Sequence, residues 1–69
     1  MATGTVKWFN ERKGYGFIRP DAGGEDLFVH RSGVVDFDRR GLQEGARVAY
    51  ELGEGLRGPQ ARNVRLLGR

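Results

Sequence analysis

The chain has 69 residues, of which 12 are lysine or arginine, 9 are aspartate or glutamate, 12 are glycine, one is histidine and none is cysteine. This length allows one domain, residues 1–69, with a single small core, and the composition excludes disulfide bridges and disfavours a metal site of cysteine or histidine ligands. No apolar run approaches the roughly 20 residues that span a bilayer, and the first residues lack the features of a secretion signal, so we expect a soluble, cytoplasmic protein.

Five segments have the residue types and alternation of short β-strands. They run about Gly4 to Asn10, Tyr15 to Arg19, Asp26 to Arg31, Ala46 to Leu52 and Gln60 to Leu66. Turns that contain glycine or proline separate them. The glycines are spread evenly, which disfavours long helices, because each interior glycine costs about 1 kcal/mol relative to alanine.

The stretch between the third and fourth strands is the least regular part of the chain. Residues 32–35 predict a single helical turn, and residues 36–41 predict a charged loop that carries Phe37. Five short strands with one longer crossover predict an all-β fold, a five-stranded antiparallel OB-fold barrel. The expected core consists of Val6, Ile18, Leu27, Val29, Val34, Leu42, Val48, Tyr50, Leu52 and Val64.

The second and third strands carry rings on one face. Side chains alternate along a strand, so Tyr15 and Phe17 share a face of one strand and Phe28 and His30 share a face of the next. If the two strands pair antiparallel, all four rings cluster on one side of the sheet. The residues between them are glycine or aliphatic and fit a core. A one-residue shift in register would bury the rings but expose Ile18. A small protein has little reason to display clustered rings unless a flat molecule binds them, and nucleobases stack on such rings.

Alternation alone does not place Trp8, which stands between Lys7 and Phe9. A bulge would turn Trp8 and Phe9 toward the same region, whereas a tryptophan buried in the core is the alternative.

The net charge of +3 does not identify a partner. The basic residues Lys7 and Lys13 do, however, stand beside aromatic segments, an arrangement that suits a phosphate backbone with its bases turned toward the protein.

Four short blocks resemble the bacterial cold-shock protein family. They are Lys7–Asn10, Lys13–Ile18, Leu27–His30 and Arg57–Ala61, the last followed by Asn63-Val64. They keep the family's order and nearly its spacing over essentially the whole chain. The second block is also similar to a motif of the RNA recognition motif fold, but the motif order is reversed here and the two helices of that fold are missing.

The resemblance implies a protein that binds single-stranded RNA and DNA, with pyrimidine-rich strands preferred, and that acts as an RNA chaperone and as a regulator of transcription and translation. We expect a monomer that needs no cofactor, no small-molecule substrate and no membrane. The implied stacking residues are Trp8, Phe9, Tyr15, Phe17, Phe28 and His30. The implied phosphate contacts are Lys7, Lys13 and Arg57, with Arg31 or Arg39, and the implied contacts to base edges are Asn10 and Gln60.

Two positions depart from the family pattern. Arg31 follows His30, where the family commonly has another aromatic residue. A guanidinium plane also stacks on a base and adds charge. Ungapped spacing puts Arg39 where the family has an aromatic residue in the loop, and Phe37 stands two residues earlier. The contacts of Arg31, Phe37 and Arg39 with a ligand are therefore open.

Alternatives from other functional classes are weaker. Residues 53–58 spell G-x-G-x-x-G, but a dinucleotide site requires a following helix, and Pro59 with a strand-like segment follows, so we interpret the motif as a hairpin loop. An enzyme would have to pair Ser32 with His30 as nucleophile and base, with no evident acid to orient the imidazole, and we predict no catalysis. A small barrel that binds proline-rich peptides is the remaining alternative.

Overall fold

The computed structural model describes residues 1–35 and 41–67, which form a closed barrel of five strands. The strands are β1 (Ala2–Asn10), β2 (Tyr15–Pro20), β3 (Leu27–His30), β4 (Arg47–Gly55) and β5 (Gly58–Leu66), in the order β1-β2-β3-β5-β4 around the barrel. A short 3-10 helix, Arg31–Gly33, follows β3 and lies one residue before the predicted helical turn. Within the described ranges, no helix has the length and apolar character needed to cross a membrane.

The barrel is not purely antiparallel, which corrects the prediction. Four of the five strand contacts are antiparallel, but β3 and β5 run parallel, with Phe28 opposite Gln60. The cause is the odd number of strands. Directions that alternate around a closed ring require an even number of strands, so a five-stranded barrel must contain one parallel contact.

The core matches the predicted set at most positions. Val6, Ile18, Val29, Val48 and Val64 are fully buried. The other buried apolar residues are Leu27, Leu42, Ala49, Tyr50 and Ala61. The sequence did not indicate the two alanines as core residues, because their side chains are small. Val34 is partly buried and packs against the core.

Leu52 was predicted in the core, and that prediction is wrong, since 66% of its surface is exposed. The pairing of β1 with β4 ends at Ala2 opposite Tyr50. Leu52 therefore lies beyond the start of β1, where no strand covers it. It lines an open cleft of about 400 Å³ at this end of the barrel, together with Leu27 and Pro59.

A bulge at Asn63 keeps apolar side chains of β5 directed into the core on both sides of it. The pairing with β4 passes from Ala49 opposite Arg65 to Glu51 opposite Arg62, so β5 has one extra residue. Asn63 adopts a φ of 50°, in the left-handed region that asparagine tolerates, and its Nδ2 donates to Glu51 Oε1 at 2.8 Å. The extra residue allows Ala61 and Val64, three positions apart, both to face inward.

A hydrogen-bonded ion pair joins β1, β4 and the loop after β2. Arg47 donates to both carboxylate oxygens of Asp21 at 2.7 Å, and Thr3 Oγ1 donates to Asp21 Oδ2 at 2.6 Å. The Arg47 hydrogen bonds first, and the Thr3 hydrogen bond second, lower the pKa of the Asp21 carboxyl from 3.8 to about 2. The ionised form of Asp21 is therefore favoured by the folded state.

This pKa predicts how the contribution of Asp21 to stability depends on pH. The pKa is lower in the folded than in the unfolded chain, so the contribution is fully present above pH 3.8 and is lost as the pH falls toward about 2. We expect wild type to melt at a higher temperature than Asp21→Asn at neutral pH and the difference to shrink to nothing in this acid range. A difference in melting temperature that stays constant from neutral pH to pH 2 would contradict the assignment.

Candidate nucleic-acid interface

A bulge at Lys7 places Trp8 on the outer surface of the barrel. Val6 pairs with Ile18, but the next pair is Trp8 with Phe17, so Lys7 is an extra residue in β1. The extra residue resets the alternation and sets Trp8 beside the outward-facing Phe17. Trp8 is 40% exposed, which excludes the alternative of a tryptophan buried in the core.

The same bulge separates Trp8 from Phe9, which corrects the expectation that the two would face one region. Phe9 pairs with Gly16 and packs, partly buried, against the core. Gly16 makes room for it, since a Cβ at that position would lie 2.9 Å from Phe9 Cδ1. Lys7 and Trp8 are the neighbours that share the outer face.

Four aromatic side chains form one continuous surface, which we call the ring surface: Trp8, Tyr15, Phe17 and Phe28. Ring centroids lie 5.4 Å apart for Trp8 and Phe17 and 5.7 Å apart for Trp8 and Tyr15. Phe28 lies 5.7 Å from Tyr15 and 5.9 Å from Phe17. These distances fall in the favourable range for aromatic pairs. Each ring thus supports two others while part of it faces solvent.

The opposite face of the same strands is in the core, as the alternation predicted. Ile18, Leu27 and Val29 are at most 6% exposed. Phe17 pairs with Phe28 and Ile18 pairs with Leu27, so the register sets rings against rings and aliphatic groups against aliphatic groups. The assignment of faces is confirmed.

His30 lies at one end of the ring surface, opposite Tyr15, and also begins the 3-10 helix. Its Nδ1 accepts a hydrogen bond from the backbone N–H of Ser32 at 3.1 Å and lies 2.8 Å from Ser32 Oγ. The Ser32–His30 contact considered for catalysis is therefore part of a helix cap.

Arg57 brings a positive charge to the ring surface. Its Cζ lies 5.1 Å from the centroid of Phe28 and 5.8 Å from that of Tyr15, within the range of cation–π attraction. Arg57 stands in the turn between β4 and β5, which Gly58 completes with a φ of 99°. Gly55 pairs with Gly58 across the two residues of this turn, so the G-x-G-x-x-G segment forms a hairpin, as predicted.

The two further predicted cations differ in their contacts. Lys7 Nζ forms an ion pair of 2.9 Å with Asp26 Oδ2. The exposed Lys13 lies in the turn before β2, and its backbone N–H donates to Asn10 Oδ1 at 2.9 Å. The Asn10 carbonyl accepts from the N–H of Gly14 at 2.7 Å. Asn10 therefore holds the turn that displays Lys13.

Comparison with known proteins agrees with this geometry. The model of the 'Cold-shock' DNA-binding domain matches residues 2–67. The chain belongs to the cold-shock domain family.

Relatives and a solved structure cover almost the whole cold-shock domain. The chain is 57% identical over 65 residues to the cold shock-like protein CspA of Stigmatella aurantiaca, and the alignment covers 94% of this chain and 96% of the relative. It is 52% identical over 67 residues to a cold shock protein of Arthrobacter globiformis, covering 97% and 100%. Drosophila Unr CSD456 superposes with a TM-score of 0.80 at 24% identity, over 97% of this chain and 26% of that one. The superposition confirms the OB-fold.

Arg31 occupies a defined place in this cold-shock domain. Its backbone N–H donates to the Gly14 carbonyl at 2.8 Å, so Arg31 continues the pairing beyond His30. A Cβ on Gly14 would lie 3.1 Å from Arg31 Nε and 3.3 Å from its Cδ. The side chain of Arg31 therefore passes over the space that Gly14 leaves free.

Of the remaining predicted site residues, one lies beside the ring surface and two lie outside the described part of the chain. Gln60 is half-buried, pairs with Phe28 across the parallel contact and packs over Gly55, where a Cβ would collide with its amide. Phe37 and Arg39 lie outside the described residues. Their contact with a ligand stays a prediction, as it does for Arg31.

Sequence reasoning missed two residues that shape the interface. Asp26 pairs with Lys7 across β2, a contact that nothing in the local sequence indicates, because the two residues are 19 positions apart. Sequence reasoning placed Gly16 on the face of β2 opposite the rings but did not indicate that it makes room for Phe9. Its place between two aromatic residues was the available signal, since a glycine inside a strand often marks the close approach of another backbone.

Proposed function

We propose that this protein binds single-stranded RNA and DNA through the ring surface and acts as an RNA chaperone. The observation that carries the proposal is the contact of four partly exposed rings in one surface, with ring centroids 5.4 to 5.9 Å apart. A contiguous exposed patch of rings is typical of a binding surface. Stacked bases would cover it.

Stacking requires bases that are not paired. A base inside a duplex is covered on both faces by its neighbours, whereas a single strand turns its bases outward onto aromatic side chains. Arg57 beside Phe28 and Tyr15 and the exposed Lys13 before β2 provide positive charge for the phosphates. The preference for pyrimidine-rich strands, the monomeric state and the cytoplasmic location are part of the same proposal, as is the absence of catalysis.

The chaperone mechanism is mass action. A protein that binds the open strand and not the stem shifts the equilibrium of a hairpin toward the open form without ATP. At a free protein concentration of about 100 times the dissociation constant, this shift amounts to about 2.7 kcal/mol for one site. Regulation of transcription and translation would follow from opening such stems.

A hairpin RNA with a fluorophore and a quencher at its ends tests the mechanism. We expect a hairpin of about 2 kcal/mol stability to brighten as the protein is added in excess, and Phe17→Ala to require a higher concentration. Binding seen by anisotropy without any brightening would contradict the chaperone role and leave strand binding in place. No change in either signal would contradict strand binding itself.

A further inference from the structure

The two ends of the ring surface are distinct in structure. At one end Tyr15 pairs with His30, and the turn of residues 11–14 and the start of the 3-10 helix lie directly beyond them. At the other end Phe17 is followed along β2 by Ile18 and Arg19, and then by the loop of residues 21–26. A strand lying along the ring surface would therefore meet different groups at its two ends.

The end at Tyr15 is cationic. Among the described residues, Arg12, Lys13 and Arg31 are exposed there, against the single carboxylate of Glu11. Arg31 is fixed beside the turn by the hydrogen bond of its N–H to the Gly14 carbonyl and by the passage of its side chain over Gly14. Three exposed cationic residues thus stand at the end of the ring surface where a strand would leave the rings.

The end at Phe17 is balanced in charge among the described residues. Lys7 is held at 2.9 Å by Asp26. Arg19 shares an open cleft of about 280 Å³ with Lys7 and Glu44. Glu25 adds a further exposed carboxylate in the adjoining loop. A phosphate at this end would meet one cation that is already paired and would also meet nearby carboxylates.

We propose that the turn of residues 11–14, together with Arg31, is a subsite for the terminal phosphomonoester of a bound single strand. The inference rests on the proposed function and adds the direction in which the bound strand lies along the ring surface. A phosphomonoester carries about −1.5 to −2 charges at neutral pH, more than the single charge of a phosphodiester. It therefore gains more from the cationic end, and a strand that just covers the rings binds with its phosphorylated end at Gly14.

Thymidine tetranucleotides with a 5′-phosphate, with a 3′-phosphate or with neither test the subsite by titration of Trp8 fluorescence. We expect one of the two phosphorylated forms, and not the other, to bind roughly two- to fivefold more tightly than the unphosphorylated strand, the range of an exposed ion pair. Added salt should remove the gain. The form that gains also shows the direction in which the strand lies.

Two variants with the same change of charge complete the test. Arg31→Gln should abolish the gain, whereas Arg65→Gln, which alters an exposed arginine on the β4-paired part of β5, should keep it. An equal gain for both phosphorylated strands, no gain for either, or equal effects of the two variants would overturn the subsite while the proposed function stands. Failure of the unphosphorylated strand to bind would overturn both.

Discussion

Phe28→Ala should weaken the binding of a single strand by about 1–3 kcal/mol, the usual value of one stacked base. Phe28 contacts two other rings of the ring surface and lies nearer to the Arg57 guanidinium than Tyr15 does. It lies between Tyr15 and Phe17 and under the guanidinium of Arg57. Its loss removes a stacking face and also the nearer of the two rings that Arg57 contacts. The measurement is the dissociation constant for a thymidine oligonucleotide.

The neighbouring residue provides the matched control. Val29 stands next to Phe28 on the opposite face of β3 and is fully buried. Val29→Ala should cost about 2 kcal/mol of folding free energy, from lost burial and from the cavity that it leaves. It should bind normally where it is folded. If Phe28→Ala unfolded as readily as Val29→Ala in urea, and Val29→Ala lost binding as Phe28→Ala does, the assignment of faces would be inverted.

Gly16→Ala should destabilise the fold by about 1–3 kcal/mol or more, as overpacking does in a tight core. A Cβ at Gly16 would collide with the Trp8 carbonyl oxygen and lie 2.6 Å from Phe9 Cα. Both are backbone atoms of β1 that move only if the strand moves. A domain of this size is stable by only a few kcal/mol, so the variant should melt far below wild type and bind weakly.

Gly33→Ala is the control for this substitution. A Cβ there would lie 3.4 Å from the Ala61 carbonyl oxygen and 3.8 Å from Arg62 Cα, which is ordinary contact. Its backbone has no positive φ, so we expect little change in thermal stability. Equal melting temperatures for Gly16→Ala and Gly33→Ala would show that β1 and β2 do not pair as Phe9 opposite Gly16.

The strands and the ring surface were largely predictable because period-two alternation is a local signal. Tyr15 and Phe17 alternate with Gly16 and Ile18, and one register satisfies both faces. The rings and the core follow from that register with no further information. The four blocks shared with cold-shock proteins added the family, which alternation alone cannot supply.

The wrong predictions concern residues where a bulge interrupts the alternation of side chains or where no neighbouring strand covers the residue. A bulge near Trp8 was one of two interpretations of the sequence. Which residue it would add, and which neighbours it would bring together, depends on the pairing of β1 with β2. Leu52 has the same parity as Tyr50, yet β1 is too short to cover it. The length of one strand decided the burial of a residue on another.

Contacts between distant residues were the least predictable part of the interface. Arg57 reaches Phe28 because the β4–β5 hairpin packs beside β3 through the parallel contact at Gln60. That contact follows from closing a barrel with an odd number of strands. Once the barrel is closed, the position of Arg57 beside the rings needs no special signal in the hairpin sequence.

Trp8 fluorescence tests the central claim most directly, because Trp8 is the one tryptophan in the chain and belongs to the ring surface. A thymidine oligonucleotide should quench it strongly through base stacking, and the same oligonucleotide annealed to its complement should quench it weakly at an equal concentration. Equal affinity for the single strand and the duplex would contradict a surface that stacks on unpaired bases.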